Sequence, residues 1–187
     1  MSNCASMLQA AVIVPLIRYH EPAIVFVRRA AHLRRNPGQV AFPGGVVDVA
    51  DGEDARVTAL REFEEELGVP KARVKVVDRL EPVVTLSLNV CVSPYVGVLD
   101  PPVEYLLDQT ETESAHEVPI SALYRSGAVR EGIEPVEHDG REVFVNSWLF
   151  DYEDLHVWGA TARILHGLLS RYPSVVELPL NAPEVGA

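Results

Sequence analysis

Gly44-Gly45-Val46-Val47-Asp48-Val49-Ala50-Asp51-Gly52-Glu53, running on to Arg61-Glu62-Phe63-Glu64-Glu65-Glu66-Leu67-Gly68-Val69, is the stretch on which the reading of the chain turns. Ala55, Ala59, Leu60, Phe63 and Leu67 recur at helical spacing and predict an amphipathic helix beginning near Glu53. Asp51 is the expected N-cap, with Asp54 three residues on in an arrangement close to a capping box. Gly68, able to adopt positive φ, and Pro70, unable to continue a helix, mark the stop. Glu62, Glu65 and Glu66 stand at i, i+3 and i+4, so their carboxylates leave one edge of the helix, beside its apolar stripe. Glu64 points away, toward solvent. Carboxylates this close repel one another unless a cation compensates. Arg61, one turn before Glu65, is one such cation; a hard divalent ion with oxygen ligands is the other. Gly44 and Gly45 let the backbone approach a metal or phosphate, and the Gly44 carbonyl could complete the ion's shell.

Outward from this segment, residues 10–18 and 23–28 read as apolar, β-branched strands separated by His20-Glu21-Pro22, and 39–42 as a short strand entering the glycine pair. Residues 73–77, 83–90 and 95–98 read as further strands, 119–124 as a short helix and 142–151 as a hairpin arm. A closing helix over 157–171 carries Ala160, Ile164, Leu165 and Leu168 on one face. Strands mixed with two substantial helices predict an α/β sandwich, in which helices cover a mixed sheet. At 187 residues and 48% hydrophobic the chain can bury one sizeable core, and no Gly/Ser run, charge block or repeat marks a linker. A single domain over residues 1–187 is expected.

The net charge of −11 disfavours indiscriminate binding to nucleic acid or anionic lipid. Positive charge nevertheless gathers at Arg28, Arg29, His32, Arg34 and Arg35, just before the glycine-rich turn, where an anionic substrate would need it. The apolar run from Ala10 to Ile17 is too short to span a bilayer, and no targeting segment is evident at either end. Cys4 and Cys91 show no paired spacing; Cys91, in an apolar stretch, is expected to be a buried, inert thiol, and a reducing cytoplasm is the simplest compartment. The six histidines show no ligand spacing, Trp158 reads as core rather than as a stacking platform, and no nucleophile elbow, zinc signature or Walker loop occurs.

Glu53, seven residues, then Arg61-Glu62-Phe63-x-Glu65-Glu66-x-Gly68-Val69 is similar to the Nudix box, the loop–helix–loop motif of the Nudix hydrolases, here spanning about residues 44–69. The family's usual pattern has five residues between its first glycine and first glutamate, whereas Gly45 and Glu53 are separated by seven. Upstream, Arg28-Arg29-Ala30-Ala31-His32-Leu33-Arg34 and Gly38-Gln39-Val40-Ala41-Phe42-Pro43-Gly44-Gly45 resemble the added signature of the coenzyme A diphosphatase branch. Ala30 replaces its usual serine, and Val27 stands where threonine is common. Glu111, eight positions before Pro119, matches a glutamate that the branch often carries, with Glu113 as the alternative; Trp158 to Arg163 also resembles the branch.

The resemblance implies a Nudix-type α/β/α sandwich hydrolysing the diphosphate of coenzyme A or its derivatives to phosphopantetheine and 3′,5′-ADP. Glu62, Glu65, Glu66 and the Gly44 carbonyl would hold Mg²⁺ or Mn²⁺. Glu111 would be a further ligand or a base on a mobile loop, and Arg61 would orient the glutamates. Arg28 and Arg34, with Gly44 and Gly45, would meet the substrate's phosphates. The alternatives are a Nudix hydrolase of ADP-ribose or another nucleoside diphosphate derivative, and a non-catalytic nucleotide-binding regulator, against which the intact glutamates weigh. The expected partner is a small nucleotide-like molecule, with neither nucleic acid nor membrane, and a homodimer is compatible with this reading.

Overall fold

In the computed structural model the described residues are 4–52, 54–85, 89–138 and 141–185. They form β1 (Leu8–Ile17), β2 (Ala23–Arg29), β3 (Val40–Ala41), β4 (Gly44–Val46), α1 (Ala55–Leu67), β5 (Lys75–Arg79), β6 (Val83–Val84) and β7 (Val90–Leu99). Then follow β8 (Thr112–Pro119), α2 (Ile120–Leu123), β9 (Val129–His138), β10 (Arg141–Tyr152), β11 (Leu155–Val157) and α3 (Gly159–Arg171).

The strand β1 is apolar on both faces, which dictates a sheet covered on both sides. Ala11 and Ile13 join one buried cluster, while Ala10, Val14 and Leu16 join the other. β1 pairs parallel with β7 along its whole length, from Leu8↔Val90 to Ile17↔Leu99. Its other edge is shared, with β2 pairing near the hairpin (Leu16↔Ile24) and β4 further back (Val12↔Gly44), both antiparallel. β3 and β8 flank β2, and β5 and β6 pair with β7, completing a mixed sheet. On one face α1 packs Ala59, Phe63 and Leu67 against Ala11, Ile13, Val27 and Tyr95. On the other, Ile164, Leu165 and Leu168 of α3 and Phe150, Leu155 and Val157 of the β11-β10-β9 sheet meet Leu16, Phe26 and Val96. The chain is thus the expected α/β/α sandwich with a mixed sheet. No helix among the described residues is long and apolar enough to cross a membrane.

The helix α1 ends as expected, on Gly68 in the left-handed region (φ 67°), whose N–H closes on the Glu64 carbonyl. Its beginning differs. Asp54, not Asp51, is the N-cap, accepting from the Arg56 N–H at 3.0 Å, because Asp51 is engaged by Arg61. Of the strand expected over 83–90, Val83–Val84 and the start of β7 are strand, and residues 86–88 lie outside the described ones. β8 and β9 are strands that the periodicity did not announce.

The cysteine expectation is corrected. Cys91 is buried but is not a thiol: it is bonded to Cys4, with Cα atoms 5.5 Å apart. The parallel register Gln9↔Cys91 brings the start of the chain beside a residue 87 positions away, and the Gln9 side chain donates to the Cys4 carbonyl at 2.6 Å. The expectation of a reducing compartment, which rested on unpaired cysteines, loses that support.

Candidate metal centre

Two glycines and one helix edge build the site. Gly44 has φ 155°, and a Cβ there would run into the Ala11 carbonyl and lie 2.6 Å from Val12 Cα. At Gly45 a Cβ would fall 2.5 Å from the Glu62 carboxylate carbon, so the missing side chain is the space that Glu62 occupies. β4 therefore lies directly under the acidic edge of α1. Glu66 is buried among these elements; the Gly44 N–H bonds its carboxylate, while its Oε2 has no partner.

Glu62, Glu66 and Glu111 each offer a carboxylate oxygen, all within 4.8 Å of one another. Burial pushes the Glu66 carboxyl up to about 8; Arg29 opposes this, and the charges of Glu62 and Glu111 add to it. Glu62 is likewise raised, by burial first, against the pull of Arg61. Charged together, these groups need a cation. The orphaned Glu66 oxygen, the all-oxygen donor set and the cradle over Gly45 fit a hard divalent ion.

Glu65 is not part of this trio. Its side chain is about half exposed, and its Oε2 accepts from Arg61 Nη1 at 2.8 Å. Glu64 points away, as its helical angle requires, accepting from the Lys71 N–H at 3.2 Å. Arg61 spans Asp51, Glu62 and Glu65. Glu53 lies outside the described residues.

Glu111 stands in the turn that leads into β8, and backbone hydrogen bonds tie this segment to its neighbours. The Ala30 N–H donates to the Glu111 carbonyl, and the Leu106 and Asp108 N–H groups donate to the carbonyls of Leu67 and Glu66. Carbonyls that a helix end leaves unsatisfied thus hold the loop down. Glu113 is not in the trio; its charge acts on His116 instead.

Neighbouring positions on β2 face opposite ways. Phe26 belongs to the cluster under α3 and Val27 to the one under α1. Arg28 accordingly lies with Phe26, away from the glutamates, donating to Asp154 Oδ2 at 2.8 Å. Arg29 lies with Val27, its charge acting on Glu66 and its Nε buried without a partner. Arg34 is exposed on the following loop. The sequence reading missed Arg29, although period-two alternation from Val27 could have separated it from Arg28.

The chain matches the model of the NUDIX domain over residues 7–163. It belongs to the Nudix family. It is 37% identical over 161 residues to the "Uncharacterized Nudix hydrolase NudL" of Enterobacter sp. (strain 638), covering 86% of this chain and 80% of that one. The NudL of Escherichia coli (strain K12) is 37% identical over 160 residues, with the same coverage. Among solved structures, a NUDIX hydrolase from Alicyclobacillus acidocaldarius superposes with TM-score 0.58 at 18% identity, covering 99% of this chain and 100% of that one. A C. elegans Ap4A hydrolase binary complex gives TM-score 0.51 at 22% identity, covering 60% of this chain and 80% of that one. The protein is thus a Nudix hydrolase, an enzyme of a pyrophosphohydrolase family whose members generally use divalent metals.

Proposed function

We propose that this Nudix hydrolase is a single-domain coenzyme A diphosphatase, using Mg²⁺ or Mn²⁺ to release phosphopantetheine and 3′,5′-ADP. The observation that supports the reading is the half-buried Arg29, whose charge acts on Glu66 of the glutamate trio and whose Nε is buried without a hydrogen-bond partner. It heads the basic segment through Arg34 that resembles the coenzyme A branch. A cation beside these carboxylates is placed to meet an anionic substrate.

Glu62, Glu66 and Glu111, with the Gly44 carbonyl, would hold the ion, and Glu65 would join them if Arg61 released it. When bound, the ion neutralises the diphosphate and lowers the pKa of the attacking water. Glu111, the exposed member of the trio, would serve either as a further ligand or as the base for the attacking water. Arg29 contacts the diphosphate, and Arg34 reaches the 3′-phosphate from the loop by charge-assisted bonds. Arg28, bound to Asp154, is the weaker choice for that contact.

The test is hydrolysis by the purified protein with Mg²⁺ of coenzyme A, 3′-dephospho-coenzyme A, ADP-ribose, NADH and dinucleoside polyphosphates. Coenzyme A should give the highest kcat/KM, and Arg34→Gln should remove its advantage over the dephospho compound. A higher kcat/KM for ADP-ribose or a dinucleoside polyphosphate would reject the substrate while leaving the family intact.

A further inference from the structure

The bond between Cys4 and Cys91 is tied, link by link, to the strand that floors the metal site. Cys4 opens a short turn, Cys4–Ser6, ahead of β1, and Cys91 is the second residue of β7. Gln9 stands between them, paired in register with Cys91. Its side-chain amide donates to the Cys4 carbonyl at 2.6 Å and to the Met7 carbonyl at 2.8 Å, so the bonded turn holds it. Its backbone carbonyl in turn accepts the Val47 N–H at 2.9 Å. Val47 follows directly on β4, whose Gly44 N–H bonds Glu66 and whose Gly45 lies under Glu62. The ladder of β4 with β1 covers only Ala10↔Val46, Ala11↔Gly45 and Val12↔Gly44, so it depends on what holds its ends. The Pro43 carbonyl, accepting from the Ile13 N–H at 2.9 Å, secures one end, and Gln9 secures the other. The two sulfurs differ in access. Cys91 is 1% exposed, whereas Cys4 is only half-buried, so an incoming thiolate meets Cys4.

We propose that Cys4–Cys91 is a reversible thiol–disulfide site that regulates the metal centre: its reduction releases Gln9, loosens β4 and weakens the hold on the divalent cation. A dithiol supplies the electrons. Its thiolate attacks Cys4 Sγ, the sulfur–sulfur bond breaks, and Cys91 leaves as a thiolate that takes up a proton. The dithiol's second sulfur, having lost its proton, then attacks the mixed disulfide and expels Cys4, which is protonated in turn. The dithiol ends as a disulfide and the protein as two thiols. With the covalent anchor gone, the turn opens more readily and takes the Gln9 side chain with it. The proposal rests on the metal dependence of the family and not on the coenzyme A reading; a failed coenzyme A assay leaves it untouched.

The experiment titrates the full-length, metal-free protein with Mn²⁺, following the free ion by electron paramagnetic resonance, before and after treatment with dithiothreitol that is then removed without air. Thiol counting reads the state of the bond, and near-ultraviolet circular dichroism verifies folding. Reduction should weaken Mn²⁺ binding roughly tenfold, the scale of losing the support behind metal ligands, and reoxidation should restore it. Hydrogen exchange at the Val47 amide should quicken in the same step. Cys4→Ser should show the weakened affinity from the outset and ignore dithiothreitol. Gln9→Ala, with the bond intact, should match it, because the effect passes through that side chain. A purely structural bond would lower the melting temperature on reduction and leave the Mn²⁺ affinity of folded protein alone; that result overturns the proposal. So does a dithiothreitol effect that persists in Cys4→Ser, wild-type affinity in Gln9→Ala, or two free thiols in oxidant-treated protein. Should the reduced protein fail to stay folded, Gln9→Ala decides: roughly tenfold weaker binding supports the relay, and wild-type affinity overturns it.

Discussion

Replacing Gly45 by alanine adds one methyl group at a point where its consequence can be computed from contacts. No positive φ is required there, so the backbone accepts alanine; the conflict is with one side chain. The new Cβ would lie 2.5 Å from Glu62 Cδ and Oε1 and 2.8 Å from Oε2. Ordinary contact begins at 3.4 Å, so the carboxylate must retreat by about 0.9 Å. A displacement of that size at a reacting centre costs on the order of 10²-fold in rate. Stability should change by less than about 1 kcal/mol, since alanine also restricts the unfolded chain. The expected result is a normal thermal unfolding curve with weakened Mn²⁺ binding and kcat reduced by about two orders of magnitude. Wild-type kcat would refute the idea that Glu62 lies over Gly45 in the working enzyme. Loss of the fold would equally refute it, by showing that the contact serves packing.

Glu66→Gln should lose most turnover and divalent-cation binding while remaining folded, whereas Glu64→Gln, whose residue faces away beside Lys71, should be near neutral in the same assays. Cys4→Ser removes the link to Cys91 and should destabilise the protein by about 2–4 kcal/mol in denaturant titrations, with reductant lowering the wild type to the same level. His156 is bound to Asp151 at 2.5 Å and to Glu134 at 2.7 Å; burial opposes its protonation, but these bonds outweigh it and raise its pKa above 6.5. Its contribution is therefore fully present below about pH 6.5 and lost as pH rises through the higher folded value. Thermal stability should decline over that window in the wild type and stay flat in His156→Gln.

What was legible in the sequence was local. The stripe Ala59, Phe63, Leu67, the Gly68 stop and the outward direction of Glu64 all follow from 3.6-residue periodicity, and each stands in the structure. Which aspartate caps α1 was not legible, because Asp51 and Asp54 are chemically equal until Arg61, ten residues on, captures one of them. Period-two alternation puts Arg28 and Arg29 on opposite faces of β2, but only the packing of α1 decides which face meets the glutamates. β9 contains Gly132 and Pro135 among acidic residues and reads as a loop; pairing with β10 makes it a strand. The Cys4–Cys91 bond depends on a parallel pairing between distant segments, which no local pattern announces.

That parallel pairing also orders events during synthesis. β1 leaves the ribosome well before its full-length partner, which begins only at Val90, opposite Leu8. Until then β1 has one covered edge at most, shared by β2 and β4, and its buried residues lack part of their sheet. Contacts this distant in sequence are slow to form, and unpaired strand edges are exposed in the interval. Gly44 and Gly45 are carried on β4, which leans on β1, and Glu111 is made later still. A nascent chain can therefore fold the acidic helix long before it owns a complete ion-binding pocket, so competence for the metal arrives late, with the second half of the polypeptide.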